Sequence, residues 1–324
     1  MSGVSANAAT LWRGVFGLTA GQALGLDAGL CCLSIDVEEY FHAEAFARVI
    51  SPPQRSAWPR RAAPFLERLA ELLRQHRSRA TFFVLGDMVE PLAGLLRGLV
   101  AAGHEIACHG DAHEHLARLD ARRLREDLRA ARARIEEHLG VRPRGYRAPT
   151  FSVTRATAWA LDVIIEAGFE YDASIFPIWH DRYGVPAAPV TPFWALAPSG
   201  QAILEFPPLT LKLGPLRLPV GGGGYLRLLP ACAVRGALAR RVRRGEPALL
   251  YLHPWELDPD QPTPAIGWLA RWRHRVNLRT TERKLTDLLQ RFRFDTVGRV
   301  LEKLRTTTKL PVFELAPRSP SVQR

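Results

Sequence analysis

Short apolar, β-rich runs alternate with longer amphipathic runs along most of this chain. That alternation restricts it to a parallel sheet with crossover helices. Cys31 to Asp36 reads as a strand, and Pro64 to His76 carries Leu66, Leu69, Leu72 and Leu73 at helical spacing. Ala80 to Leu85 and Glu105 to Cys108 are further strands, separated by a helical run over Pro91 to Ala102 that Gly103 closes. An Arg- and Glu-rich helix over Asp120 to Leu139 ends at Gly140. Gly145 to Arg147, Phe169 to Asp172, Ile203 to Phe206 and Ala248 to Leu252 complete the strands, with a helix over Thr154 to Ala167 among them. Roughly seven or eight such units fit, so the expected fold is α/β: a distorted (β/α) barrel of about seven parallel strands.

A chain of 324 residues, 47% of them hydrophobic, is long enough to build such a barrel as one domain. The expected layout is a weakly structured segment over 1–28, a catalytic domain over 29–304 with its own C-terminal part from about 205, and a flexible Thr-, Pro- and Ser-rich tail over 305–324. Ile178 to Pro219 breaks the alternation, is rich in Pro and aromatics, and leads into Gly221-Gly222-Gly223-Gly224. No Lys-Ser/Thr or helix start is expected after these glycines, so they read as a loop of close approach at a pocket rim rather than a phosphate cradle.

The formal charge of +12 invites a polyanion partner. The basic residues are nearly all Arg, interleaved with Glu and Asp as in Arg122-Arg123-Leu124-Arg125-Glu126-Asp127, which is the pattern of a solvated helix face. No aromatic-basic stacking pattern accompanies them, so no nucleic acid is expected. Cys31, Cys32, Cys108 and Cys232 include no CxxC and read as core thiols of a reducing compartment. The stretch from Leu11 to Leu30 lacks a basic start and a dense apolar centre. The expected location is the cytoplasm, with a peripheral position at the inner membrane or a weak export signal as the alternatives.

Four polar islands each end a strand-like run, at the rim where α/β barrels gather catalytic groups. They are Ser34-Ile35-Asp36-Val37-Glu38, His109-Gly110-Asp111-Ala112-His113, Arg147-Ala148-Pro149 and Leu252-His253-Pro254. His109 and His113, four apart, reach one metal ion from a helical turn or a tight loop. Asp36 and Glu38, two apart, share one face of an extended segment. One completes a His-His-carboxylate set while the other serves as a base; Asp36 alone also suits a helix cap. Arg147, held extended before Ala148-Pro149, can aim a bidentate donor at a carboxylate or form an ordinary ion pair. His253, at a strand end beside Trp255, suits a general acid or a half-buried structural His.

As a set these residues resemble the polysaccharide deacetylases of carbohydrate esterase family 4, which carry the NodB homology domain. Within it the chain is most similar to deacetylases of exosortase-associated exopolysaccharide loci. The resemblance rests on Ser34-Ile35-Asp36-Val37-Glu38-Glu39-Tyr40-Phe41, the His109 to His113 pair, Arg147-Ala148-Pro149-Thr150-Phe151-Ser152, Tyr171-Asp172-Ala173-Ser174, Leu218-Pro219-Val220-Gly221-Gly222-Gly223-Gly224-Tyr225 and Tyr251-Leu252-His253-Pro254-Trp255-Glu256, in family order from about residue 31 to 300.

The resemblance implies a metal-dependent hydrolase that removes N-acetyl groups from a polysaccharide or its oligosaccharide precursor, in exopolysaccharide biosynthesis. Asp36 matches the family's base, His253 its acid and Arg147 the residue that positions the base. His109 and His113 match the family's metal-binding pair for one divalent ion, and the third ligand role is transferred to Glu38, since Val37 occupies the family's ligand position. Zinc is the default, and cobalt, iron and nickel also suit this set. Substrate contacts are expected from Tyr40, Pro149, Thr150, Phe151, Gly223, Tyr225 and Trp255, with Phe41 and Trp179 as further stacking aromatics. The implied partners are an acetylated glycan and inner-membrane polysaccharide assembly machinery.

The pattern departs from the family's in three places. Val37 stands where a second, metal-binding Asp is usual, Gly110 follows the first His in place of Ser or Thr, and Thr150 separates Pro149 from Phe151. The acidic partner of His253 is open, with Asp181 as the candidate. Rival readings are a hydrolase of a small cyclic amide or an O-acetyl ester using the same centre, and a glycan-binding barrel without turnover.

Overall fold

Each of the seven expected strands forms, and the seven lie side by side and parallel. A computed structural model describes residues 31–315 apart from 47, 48, 181 and 215. The expected weakly structured segment 1–28 therefore lies outside the described residues, as does Asp181. In chain order the strands are β1 (Cys31–Val37), β2 (Thr81–Val84), β3 (Glu105–Cys108), β4 (Gly145–Tyr146), β5 (Tyr171–Asp172), β6 (Phe193–Leu196), β7 (Ala202–Glu205), β8 (Thr210–Leu213), β9 (Leu216–Pro219), β10 (Ala248–Leu252), β11 (Phe294–Asp295) and β12 (Val312–Glu314). The parallel run is β10-β1-β2-β3-β4-β5-β7, and β6 and β12 extend it at the β7 end.

The segments that flank β8 and β9 meet β10 through backbone hydrogen bonds. Leu209 donates its N–H to Leu249 O at 2.9 Å, Tyr251 donates to Gly221 O at 2.7 Å, and Gly223 donates to Tyr251 O at 3.1 Å. Gly222 makes this close approach sterically feasible. Its φ of +146° is one that L side chains avoid, and a Cβ there would lie 1.7 Å from Tyr251 O. The expected close approach of the glycine run is thus to the backbone of β10.

Alternation along the strands sorts the core into two clusters. Cys32, Phe83, Ala107, Tyr171, Leu204 and Leu249, from six different strands, pack together on the inner side. Cys31, Leu33, Phe82, Ile106 and Leu250 face outward against helices such as Ala62–Gln75 and Ala121–Leu139. The adjacent Cys31 and Cys32 therefore enter different clusters, as strand alternation requires, and all four cysteines are free thiols.

Four expectations need correction. The helix expected over 154–167 begins only at Ala160, because Thr157 Oγ1 donates to Ser152 O and accepts from Thr154 N–H, turning the chain first. The irregular stretch 178–219 contains β6, β8 and β9, paired as hairpins whose apolar alternation Pro and aromatic residues obscure. A short helix, Gly224–Leu228, does follow the glycines. Of the tail expected to be flexible over 305–324, residues 316–324 lie outside the described residues, and the described part begins with the end of a helix, Val297–Thr307, and continues into β12. There Phe313 packs edge-on against Phe193 and Leu315 is buried. Among the described residues, no helix is long and apolar enough to cross a membrane.

Candidate active site

Asp36, His109, Arg147 and His253 each stand at the C-terminal end of a strand or directly after one, and parallel pairing gathers them at one rim. Along β1, alternation turns Val37 outward, where it is fully buried in the outer core. Asp36 and Glu38 point the other way. This explains the Val37 departure: the acidic pair is spaced by two, so both carboxylates reach the same side.

Glu38, His109 and His113 bring one donor atom each to within 4.8 Å of one another. Glu38 Oε2 lies 2.8 Å from His113 Nε2 and 3.9 Å from His109 Nε2. The Trp255 indole N–H donates to Glu38 Oε1 at 3.0 Å, while Oε2 is buried with no aligned hydrogen-bond donor. His109 Nδ1 sits 2.8 Å from Arg147 O, so it carries the proton and leaves Nε2 with its lone pair toward Glu38. Burial lowers the His109 pKa to about 4, which keeps the ring neutral. Burial opposes ionisation of Glu38, but His113 and His253 outweigh it and hold its pKa well below the ordinary carboxylate value. An orphaned carboxylate oxygen beside two imidazole nitrogens is a donor set that fits a divalent ion such as zinc.

The second His is supplied by an irregular loop, not a helical turn. Gly110 (φ +83°) and His113 (φ +54°) both take the left-handed conformation. Asp127, on the helix Ala121–Leu139, accepts the N–H groups of Asp111 (3.0 Å) and Ala112 (3.2 Å) and so fixes the loop. A Cβ on residue 110 would come within 2.8 Å of Asp127 Oδ2, which gives the Gly110 departure its reason. Burial raises the Asp127 pKa to about 6. Sequence reasoning missed this residue. Its signal is an acid beside Leu124, Leu128 and Ala131, which form the buried face of the helix.

Asp36 Oδ1 accepts from Arg147 Nη1 at 2.6 Å. The same nitrogen donates to Ser34 Oγ at 2.8 Å, Arg147 Nε donates to Ala173 O at 3.0 Å, and the guanidinium lies 4.1 Å from the centre of the Phe83 ring. Arg147 is fully buried, and these contacts hold it against Asp36.

On the facing side His253 Nε2 lies 3.8 Å from Asp36 Oδ2 and 3.6 Å from Glu38 Oε1. Its acidic partner is Glu256: Nδ1 and the backbone N–H of His253 reach Glu256 Oε1 at 2.8 and 3.1 Å. The spacing His253-Pro254-Trp255-Glu256 carries the signal that was overlooked, namely a residue ahead of Pro at the first helical position and an acid three residues on. Burial alone would lower the His253 pKa, but Glu38, Glu256 and Asp36 raise it to about 9. Trp255 stacks on His253 (centroids 5.0 Å, 21°) and on His274 (4.8 Å, 20°).

Asp36, Glu38, His109, His113, His253 and Trp255 line a cavity of about 450 Å³ that also includes Thr150, Phe151 and Gly223. Three expected substrate contacts are elsewhere. Tyr40 is fully buried in an aromatic cluster with Phe41 and Phe46, Pro149 is buried and Tyr225 half-buried, and none of the three lines the cavity. Aromatic residues near a site also have core to fill. Phe41 is likewise buried, and Trp179 is exposed but does not line the cavity. Thr150 (φ +58°) and Phe151 (φ +52°) form a strained pair that turns both residues into the cavity. The Phe151 N–H is engaged by Ala148 O at 3.1 Å.

Two family models match consecutive parts of the chain: "Polysaccharide deacetylase" over residues 58–171, and "Domain of unknown function (DUF3473)" over 173–302. A peptidoglycan deacetylase of Helicobacter pylori is 29% identical over 110 residues, which is 34% of this chain and 36% of the relative. A chitooligosaccharide deacetylase of a Bradyrhizobium species is 40% identical over 83 residues, 24% of this chain and 36% of the relative. The chain thus spans about a third of the length of these curated relatives. A crystal structure from Mycobacterium smegmatis, assigned as a polysaccharide deacetylase, superposes with a TM-score of 0.55 at 21% identity. It covers 94% of this chain and all of that one, and it shows the fold to be shared.

Proposed function

We propose that this chain, which carries a polysaccharide deacetylase domain, hydrolyses N-acetyl groups of a glycan at a single divalent metal ion. One observation carries the reading. The unsatisfied Glu38 Oε2 and the two His nitrogens lie beside an Arg-held carboxylate on one side and a carboxylate-held imidazole on the other. Glu38, His109 and His113 would hold the ion. When bound there, a divalent ion supplies Lewis-acid polarisation of the acetyl carbonyl and acidifies water at neutral pH.

Asp36 takes the proton from the attacking water. Arg147 fixes Oδ1, which leaves Oδ2 to face the cavity. The Thr150 backbone N–H donates to the oxygen that gains charge, since the Phe151 N–H is spent on Ala148 O and Pro149 has none. His253 gives its Nε2 proton to the departing amine nitrogen as the carbon–nitrogen bond breaks, leaving acetate and a free amine. The natural polymer, assigned to an exopolysaccharide or its precursor, rests on the resemblance of the motif set.

The test is acetate release from N-acetylated oligosaccharides after chelation, with zinc or cobalt restored. Release that needs the metal supports the reading. Release only from cyclic amides or O-acetyl esters would move the function to those substrates. No release and no bound metal would leave a glycan-binding barrel.

A further inference from the structure

Arg227 is a buried guanidinium, 3% exposed, that takes no part in the steps above. It lies within residues 173–302, whose matched family is of unknown function. Its Nε donates to Glu256 Oε2 at 2.8 Å, while Glu256 Oε1 holds His253. Its Nη1 donates to the carbonyls of Arg273 and Val276, each at 3.3 Å, and to that of His274. These close the C-terminal end of the helix Trp268–Arg275, which contributes Ala270, Arg273 and His274 to the cavity wall. Arg227 itself rides on the short helix after the glycine run, and its guanidinium lies 5.4 Å from the centre of the Trp255 ring.

We infer that Arg227 is the positioning residue of the acid, and that residues 173–302 serve to complete the active site with the chain Arg227–Glu256–His253 and its supporting rim helix. This rests on the deacetylase reading above. The physical need is specific. Glu256 is fully buried, and a carboxylate in that setting is costly unless paired. Without Arg227 it would favour the proton that should stay on His253 Nδ1, and the ring would lose its orientation. His253 donates a proton only to the leaving group, so its alignment matters where that group is a poor one.

The test compares Arg227→Met, Arg227→Lys and Glu256→Gln with Lys284→Met. Lys284 holds the same short helix through the carbonyls of Leu226, Arg227 and Leu229 without touching Glu256, so it controls for stability. Two substrate types are used: an N-acetyl glucosamine oligomer, whose amine must be protonated to leave, and an aryl acetate, whose phenolate leaves unaided. Arg227→Met and Glu256→Gln are expected to lower kcat on the amide by about tenfold or more and to change aryl acetate turnover by about twofold or less. Arg227→Lys is expected to recover part of the amide rate. Lys284→Met should lower Tm with the amide-to-ester ratio unchanged.

Independently of turnover, the downfield ¹H resonance of the His253 Nδ1–H is expected in the wild type and in Lys284→Met, and displaced in Arg227→Met. Equal losses on both substrates, or an unmoved resonance in Arg227→Met, would overturn the inference. If the wild type cleaves neither substrate, the deacetylase reading fails, and the resonance alone decides the inference about Arg227.

Discussion

The two halves of the site end in the same kind of residue and arrive there differently. On the base side Arg147 touches the reacting group itself, Asp36, at 2.6 Å. On the acid side Arg227 stands one step back, with Glu256 between it and His253. Both arginines are buried. The difference follows from charge. A base acts as an anion and is steadied by a cation. An acid acts as a cation, needs an anion beside it, and that anion needs a cation in turn. The base side therefore closes with two residues, one on β1 and one directly after β4, whereas the acid side needs three, and it draws the third from the helix behind the glycine run.

The strongest way to break this comparison is to neutralise the base. Asp36→Asn is expected to lower deacetylation by about 10²–10⁴-fold, with metal content unchanged. Acetate release alongside metal analysis checks it. A loss of metal in that variant would assign Asp36 to the ligand set.

The next effect tests Arg147 as a structural anchor. Arg147→Met leaves Asp36 buried without its partner and is expected to destabilise the fold by about 3–5 kcal/mol, read from denaturant unfolding. An unchanged midpoint would mean that Asp36 pairs with another group.

A smaller effect is expected where the two halves touch, at the Trp255 N–H that holds Glu38 Oε1. Trp255→Phe keeps the stack on His253 and removes the donor. It should weaken metal binding by about 10–100-fold, measured by competition with a chelator. Equal affinity would place Trp255 in packing alone.

The smallest effect concerns the loop that presents His113. The folded Asp127 carboxyl, lifted by burial from its ordinary 3.8 to about 6, keeps its proton in a window where the unfolded chain has released it. The folded state then binds more protons than the unfolded one, so stability falls as pH rises from about 4 to about 6. Asp127→Asn should flatten the slope of Tm against pH in that window and leave the Tm below pH 4 nearly unchanged.

The base side was legible in the sequence because each of its residues ends a strand. Seven strands could be read from apolar runs, and once they pair in parallel, Asp36, His109, Arg147 and His253 must share a rim. Glu38 was readable from its spacing of two from Asp36. The sequence by itself thus determined the parallel α/β order, the rim and the inventory of charge placed there, because periodicity and strand ends are local properties of the chain.

Only the tertiary structure decided who partners whom. It gave Glu256 to Arg227. It turned Trp255 toward Glu38, sent Tyr40 into an aromatic core, and set Gly110 and Gly222 against Asp127 and the backbone of Tyr251. Arg227 sits in Leu226-Arg227-Leu228, where nothing local says that a guanidinium will be buried. Burial and ion pairing depend on what the fold lays across a residue from 29 or 217 positions away, as with Arg227 and Glu256 or Trp255 and Glu38, and no pattern within one segment carries that information.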